Sequence, residues 1–359
     1  MTRKLCVFSF SYAPNKKAML DYLEKIFPRE VEMFLFTTKE YAKDFEKCDY
    51  KKIKVLENKS NRLTSFFYLR KFCKENSIDR IINIGTLPYE AFPMIFSSIF
   101  TKTETLVFHL GNPIECLKVG NIKNRIYAIF EAFFDFTLSL FPKKILLCTK
   151  ELTNDSKKIL FFSKNKIFYL APTIPTSFFK PLNKQKTRKK LGFKTKDKII
   201  IFAGRVHYLK GSDFLIDAIK NNPDKKFIVI GKIIDKKFLK EKFENIIHIE
   251  SLSHEELVKY YNISDLCLFP SRLEGLALVP REAMSCSTPA IVLDNKSFES
   301  IEKTIKVPAV SKEINRAIDS FFNLSKKQIN LISKDSRDFI IKEYDDLVWK
   351  DLYVDYILN

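Results

Sequence analysis

Two carboxylates and two cations are the residues best suited to act together. Glu274 and Glu282 stand with seven residues between them in DLCLFPSRLEGLALVPREAMSCSTPAIVLD, residues 265–294, and Arg205 and Lys210 stand in FAGRVHYLKG, residues 202–211. The cations would hold a diphosphate by charge-assisted hydrogen bonds. The carboxylates would accept hydrogen bonds from the hydroxyls of a sugar or ribose. Between them Gly275, Leu276, Leu278 and Val279 would present free backbone N–H groups to an anion, because a turn running into a helix leaves such donors unpaired. Gly204 lets the chain turn sharply where a side chain would obstruct a ligand. His109, at the end of the apolar run LVFH and the only histidine of the first half, is a further candidate. His207, His248 and His254 carry no metal-ligand spacing. One lysine among 62 basic residues is by default a solvated charge, and Glu282 alone could merely complement a helix dipole. Those readings leave Glu274 and the clustering unexplained.

The elements around these residues follow from hydrophobic pattern. Residues 265–269 and 290–293 are compact apolar runs that read as buried strands, and Pro280 sits where a helix tolerates its first-turn proline. Glu274 therefore falls on a loop and Glu282 on a helix. Residues 199–202 form another buried run just before Gly204. In an open α/β sheet ligands bind beyond the carboxyl ends of the strands, so all four charged side chains are expected in one crevice. Upstream, strands are expected at 4–10, 31–36, 52–56, 80–84, 105–109, 145–148 and 166–170, with helices at 18–26, 63–76, 91–100 and 124–141. Leu63, Phe66, Phe67, Leu69 and Phe72 would form one apolar face. Downstream, strands at 227–230 and 246–249 and helices at 185–191, 213–219 and 255–261 continue the alternation. The tail 334–358 reads as one long helix with Phe339, Ile340, Tyr344, Leu347, Val348, Leu352 and Tyr356 apolar. This rhythm implies two doubly wound parallel α/β domains. Three prolines in 171–198, with nine Lys or Arg against one Asp in 180–198, mark a linker.

Bulk composition narrows the class. The 359 residues are too many for one ordinary core, and a formal charge of +19 suggests an anionic partner: nucleic acid, an anionic membrane surface or a phosphate-bearing substrate. No groove-reading motif or aromatic-basic platform supports nucleic acid. Seven cysteines without a C-x-x-C pair suit reduced thiols rather than a disulfide framework or zinc site. The amino terminus lacks the features of a signal peptide, and Glu131 and Asp135 interrupt the apolar stretch 126–141, so no span is expected. The eight glycines never fall as G-x-G-x-x-G or as a Walker loop, and no G-x-S-x-G occurs. A dinucleotide dehydrogenase, a P-loop NTPase and an α/β-hydrolase are thereby disfavoured.

The segments IIIFAGRVHYLKGSDFLIDAIKN (199–221) and FPSRLEGLALVPREAMSCSTPAIV (269–292), with EYDDLVWKDLYVDYI near the end, resemble the family 4 glycosyltransferases, glycosyl transferases group 1. The resemblance implies a GT-B fold: an acceptor-binding domain at 1–175 joined by a crossing helix at 336–359, and a nucleotide-sugar domain at 176–335. It implies a retaining hexosyltransferase using a UDP- or GDP-linked donor, with no metal and no other cofactor. Arg205 and Lys210 would neutralise the diphosphate, Glu282 would bind the ribose, and Glu274 would hold the transferred sugar with His109 against it. The leaving diphosphate would assist deprotonation of the acceptor on the same face. The implied acceptor is a glycan or lipid-linked glycan of cell-envelope polysaccharide, lipopolysaccharide or glycoprotein glycan synthesis. The implied place is the cytoplasm, peripheral on the cytosolic face of the inner membrane. The chain departs from the family pattern at SYAPNKKAM (11–19), which lacks glycines, at PTIPTSFF (172–179) and at Cys286-Ser287-Thr288-Pro289, while Glu299 keeps the place of a later glutamate. A catalytically degenerate subunit partnering an active transferase is the alternative these departures imply.

Overall fold

The computed structural model describes residues 3–9, 14–58, 65–85, 91–99, 101–109, 129 and 139–359. Phe10, Leu63, Cys116 and most of the helix expected at 124–141 lie outside these residues. The chain divides into two compact units, Met1–Ala171 with Trp349–Asn359, and Pro172–Val348.

The first unit is built on seven parallel strands: β1 (Arg3–Phe8), β2 (Val31–Thr38), β3 (Ile53–Asn58), β4 (Arg80–Gly85), β5 (Glu104–His109), β6 (Lys144–Leu147) and β7 (Ile167–Tyr169), in the order β3-β2-β1-β4-β5-β6-β7. Phe8, Phe34, Phe36, Ile81 and Val107 pack with Leu69 and Cys73 of the helix Ser65–Glu75 and with Met94 and Ile95 of the helix Ala91–Ser98. Phe67 and Tyr68 face outward, correcting the expected apolar face that included Phe67. The helical turn that points Leu69 and Cys73 into the core carries position 67 away from it. The end of the chain returns to this sheet: Arg80 Nη1 donates to Ile357 O (2.9 Å), and Tyr353 lies edge-on to Tyr22 at 4.9 Å.

The second unit has six parallel strands: β8 (Ile199–Ala203), β9 (Lys226–Ile230), β10 (Ile246–Ile249), β11 (Leu266–Phe269), β12 (Ala290–Leu293) and β13 (Ile305–Val307), in the order β10-β9-β8-β11-β12-β13. The residues of β8, β11 and β12 are all buried, the mark of a parallel strand covered on both faces. The chain runs outward from β8 through β9 to β10, then returns to build the other side from β11. The switch point of this sheet is therefore the β8/β11 junction.

The tail is two helices, Lys326–Tyr344 and Asp346–Leu358, where one continuous helix was expected. Asp345 breaks it. Ile174 of the linker donates its N–H to Tyr344 O (2.8 Å) and accepts from Asp346 N (3.2 Å), while Asp345 Oδ1 accepts from Leu347 N (2.9 Å) as a cap of the next helix. The break resets the helical phase, and Leu347 and Val348, expected on one apolar face with the rest of the tail, are exposed.

Candidate donor site at the β8/β11 junction

Beyond β8 the chain turns at Gly204, whose φ of 135° belongs to the region that favours glycine. Beyond neighbouring β9, Gly231 lies so close that a Cβ there would come within 2.3 Å of Gly204 O. Both strand ends are thus clear of side chains. Arg205 follows, exposed and without an ion pair among the described residues. The short 3-10 turn Tyr208–Lys210 then presents Lys210, whose Nζ pairs with Glu274 Oε1 and lies 5.5 Å from the Phe269 ring centroid. Two of the residues singled out from sequence therefore meet directly.

The loop after β11 is held from both sides. Arg272 makes a bidentate pair with Asp213 (2.7 and 2.7 Å), donates to Tyr208 O (2.8 Å) and stacks 4.1 Å from the Tyr208 ring, tying the Glu274 loop to the Lys210 turn. Ser297 Oγ accepts from Glu274 N at 3.0 Å. Arg281, fully buried, donates through Nη1 to Leu276 O, with its guanidinium 4.3 Å from the Tyr344 ring. Neither arginine is marked by any sequence pattern, since each acts through a partner far along the chain. The same is true of buried Lys16 at the carboxyl end of β1, whose Nζ donates to Ser9 Oγ at 3.0 Å.

The helix Leu278–Ser285 opens without a side-chain cap, and its preceding residue, Ala277, sits at φ 45°, ψ 47°. Leu278 and Val279 therefore begin the helix with first-turn N–H groups that have no intrahelical partner, and Pro280 has none to offer. Left-handed backbone costs a non-glycine residue about 1–2 kcal/mol, partly offset in glycine by its freer unfolded chain. Ala277→Gly is accordingly expected to stabilise the protein by about 0.5–1 kcal/mol, read as a rise in melting temperature. A fall would show that neighbouring contacts of the Ala277 methyl outweigh the backbone term. Ser287, at φ 62°, is likewise left-handed at one of the sequence's departures from the family pattern.

Glu282 is partly buried on this helix and accepts from Tyr261 Oη at 2.8 Å. Loss of solvent raises its carboxyl to about 7, against the smaller lowering by the Tyr261 hydrogen bond. Burial, with the Glu282 charge second, pushes the thiols of Cys267 and Cys286 up, which keeps them unreactive. Burial first, then Arg205 and Lys210, lowers the His207 imidazole, so the turn keeps a neutral ring between its cations. His109 ends β5 of the first unit, its backbone paired with Gly85 and Leu147, and its side chain lies outside the description. Among the described residues no group of three or more His, Cys, Asp or Glu could hold a metal ion.

The family model "Glycosyl transferases group 1" matches residues 183–337. A D-inositol 3-phosphate glycosyltransferase of Xylanimonas cellulosilytica is 24% identical over 164 residues, 41% of this chain and 39% of the relative, so the match spans about two fifths of that protein. Among solved structures, sucrose-phosphate synthase of Thermosynechococcus elongatus superposes with a TM-score of 0.80 at 14% identity, covering 98% of each chain. HepE of Anabaena, solved in complex with UDP-glucose, gives 0.76 at 14% identity, again covering 98% of each. The matched segment 183–337 carries the β8/β11 junction, so the second unit is similar to the glycosyl transferases group 1, and the two parallel α/β sheets have the GT-B fold of these solved structures.

Proposed function

We propose that the chain is a retaining glycosyltransferase that moves a hexose from a nucleotide sugar to a glycan or lipid-linked glycan of the cell envelope, working at the cytosolic face of the membrane. The observation that supports it best is the convergence of Arg205, Lys210 and Glu274 at one switch point, beside an uncapped helix that bears Glu282. The cations and the N–H groups of Leu278 and Val279 would neutralise a diphosphate without a metal. Glu274 would face the sugar and Glu282 the ribose, and His109 would serve catalysis as the family resemblance implies. UDP is the favoured nucleotide, because HepE of similar fold was solved with UDP-glucose. A thermal-shift panel of UDP- and GDP-sugars tests the assignment, since a ligand of the folded state raises the melting point. No shift with any nucleotide sugar would sink it. Donor hydrolysis by the purified chain would in addition refute a degenerate partner subunit.

Glu282 makes the pH dependence of donor binding specific. A raised carboxyl favours the protonated folded protein, so its contribution to stability is present below the ordinary carboxylate range and is lost as pH rises through about 7. Ribose hydroxyls donate to the ionised form, so binding has the opposite slope. UDP-glucose affinity is expected to be about tenfold weaker at pH 6 than at pH 8, with Glu282→Gln flat across the range. Calorimetric titrations showing the same slope in both proteins would assign the proton to another group.

A further inference from the structure

Residues 139–141 lead into β6, and the 3-10 helix Phe161–Lys166 leads into β7, the edge strand of the seven-stranded sheet. The two approaches are tied together: Ser163 Oγ donates to Ser139 O (3.2 Å) and Lys166 Nζ to Leu140 O (2.9 Å). Inward, Leu152 and Leu160 pack with Ile145, Leu147 and Ile167 as a small core. Outward, Leu140, Phe141, Ile159 and Phe161 are each 49–70% exposed. Single exposed apolar residues are ordinary, but two such segments bonded side by side make a contiguous patch.

Lysines outnumber carboxylates around this patch: Asp155 and Glu151 lie on the helix that ends at Ile159, and Glu104 is paired with Lys143. Residues 156–166, SKKILFFSKNK, hold four lysines and no Asp or Glu, and Lys157, Lys158 and Lys164 are exposed without a carboxylate partner among the described residues. Phenyl rings flanked by unpaired lysines are the composition of a segment lying in the headgroup layer of a bilayer, with aromatic rings at the acyl boundary and ammonium groups on lipid phosphates. A second copy of the same face would instead bring like charges together. No described helix is long and apolar enough to cross a membrane, so attachment by such a face would be peripheral.

We propose that the Leu140/Phe141/Ile159/Phe161 face, with Lys157, Lys158 and Lys164, docks the first unit on an anionic lipid surface. It deepens the proposed function by naming the residues that would keep the protein near a membrane-borne acceptor, and it rests on that reading only for its purpose. The test is co-sedimentation with phosphatidylglycerol-containing vesicles and with pure phosphatidylcholine vesicles, at low and high salt. The wild type is expected to pellet with the anionic vesicles, and Phe141→Ser/Phe161→Ser to remain in solution with an unchanged melting temperature. Each of Lys157→Ala, Lys158→Ala and Lys164→Ala is expected to weaken binding about fivefold at low salt, and less at high salt. Phe161→Trp should shift its emission to the blue on anionic vesicles. Equal pelleting of wild type and the double variant, or equal binding to both vesicle types, overturns the proposal. So does a dimer in sedimentation velocity that these substitutions dissociate, since the face would then belong to a second copy. The double variant should keep its UDP-glucose melting shift, so failure of docking and failure of the donor reading are separate results.

Discussion

Lys210→Ala is expected to lower sugar transfer, followed as UDP release from UDP-glucose, by about 10²–10³-fold in kcat/KM. That is the loss found when a preorganised group facing developing transition-state charge is removed. Charge on the leaving diphosphate grows as the sugar departs, and Lys210 is the cation held in place there, by the Glu274 carboxylate and the Phe269 ring. Arg205 is exposed and without an ion pair among the described residues, so it must be ordered on binding; Arg205→Ala should cost less, about tenfold. Lys210→Ala also strands Glu274, whose side chain is only 9% exposed, and should cost about 2 kcal/mol of stability, because a charge-assisted hydrogen bond of a buried group is lost. The double variant Lys210→Ala/Glu274→Gln isolates the stability effect: it should recover the melting temperature, while transfer stays lost because Glu274 also faces the sugar. Recovery of both would mean that Lys210 serves only the fold, and transfer at wild-type rate by Lys210→Ala would place the diphosphate elsewhere.

Why these residues were legible, and others were not, follows from the distance over which each acts. The four charged candidates lie just beyond apolar runs that can only be strands, and open α/β sheets place such positions together. Gly204 and Pro280 carry their backbone meaning locally. Arg272 and Arg281 act through Asp213 and Leu276 or Tyr344, and no residue type or spacing announces such pairs. The tail failed for a related reason: its apolar period runs on through Asp345, and the break depends on Ile174, far upstream. Phe67 reads as core when only its hydrophobicity is weighed, whereas its helical phase turns it outward. The short strand β13 and the amphipathic helix Ser311–Phe322 beyond it lie outside the sequence expectations, in a stretch without chemistry-bearing residues.

Arg188→Ala is expected to be the most destabilising single change outside the hydrophobic core, at about 3 kcal/mol. Arg188 is buried in the helix Lys184–Lys190, within the stretch whose composition reads as a linker. Its Nη2 pairs with Asp265 Oδ2 (2.8 Å), its Nε and Nη2 donate to Ile263 O (2.9 and 2.7 Å), and its Nη1 donates to Thr195 O (2.8 Å). Asp265 Oδ2 also accepts from Ile199 N at 2.8 Å, so one guanidinium fastens the entries of both β8 and β11. Removing one partner of such a pair leaves a partly buried carboxylate and two carbonyls unsatisfied, which costs about 3–5 kcal/mol when the site is closed to water. Lys184, 2.6 Å from Asp265 Oδ1 and partly exposed, remains to compensate, which sets the expectation at the lower end. For a unit of this size that is roughly 6–12 °C in melting temperature. Faster hydrogen exchange should follow at the amides of Ile199–Ala203 and Leu266–Phe269. An Arg188→Met/Asp265→Asn variant should recover part of the loss, since an uncharged pair leaves no stranded charge. Because β8 and β11 carry Arg205 and Glu274 beyond their far ends, Arg188→Ala should also weaken UDP-glucose binding although Arg188 lies at the opposite end of both strands. Loss of stability with full donor affinity would show that strand register at the junction survives without the Arg188 clamp.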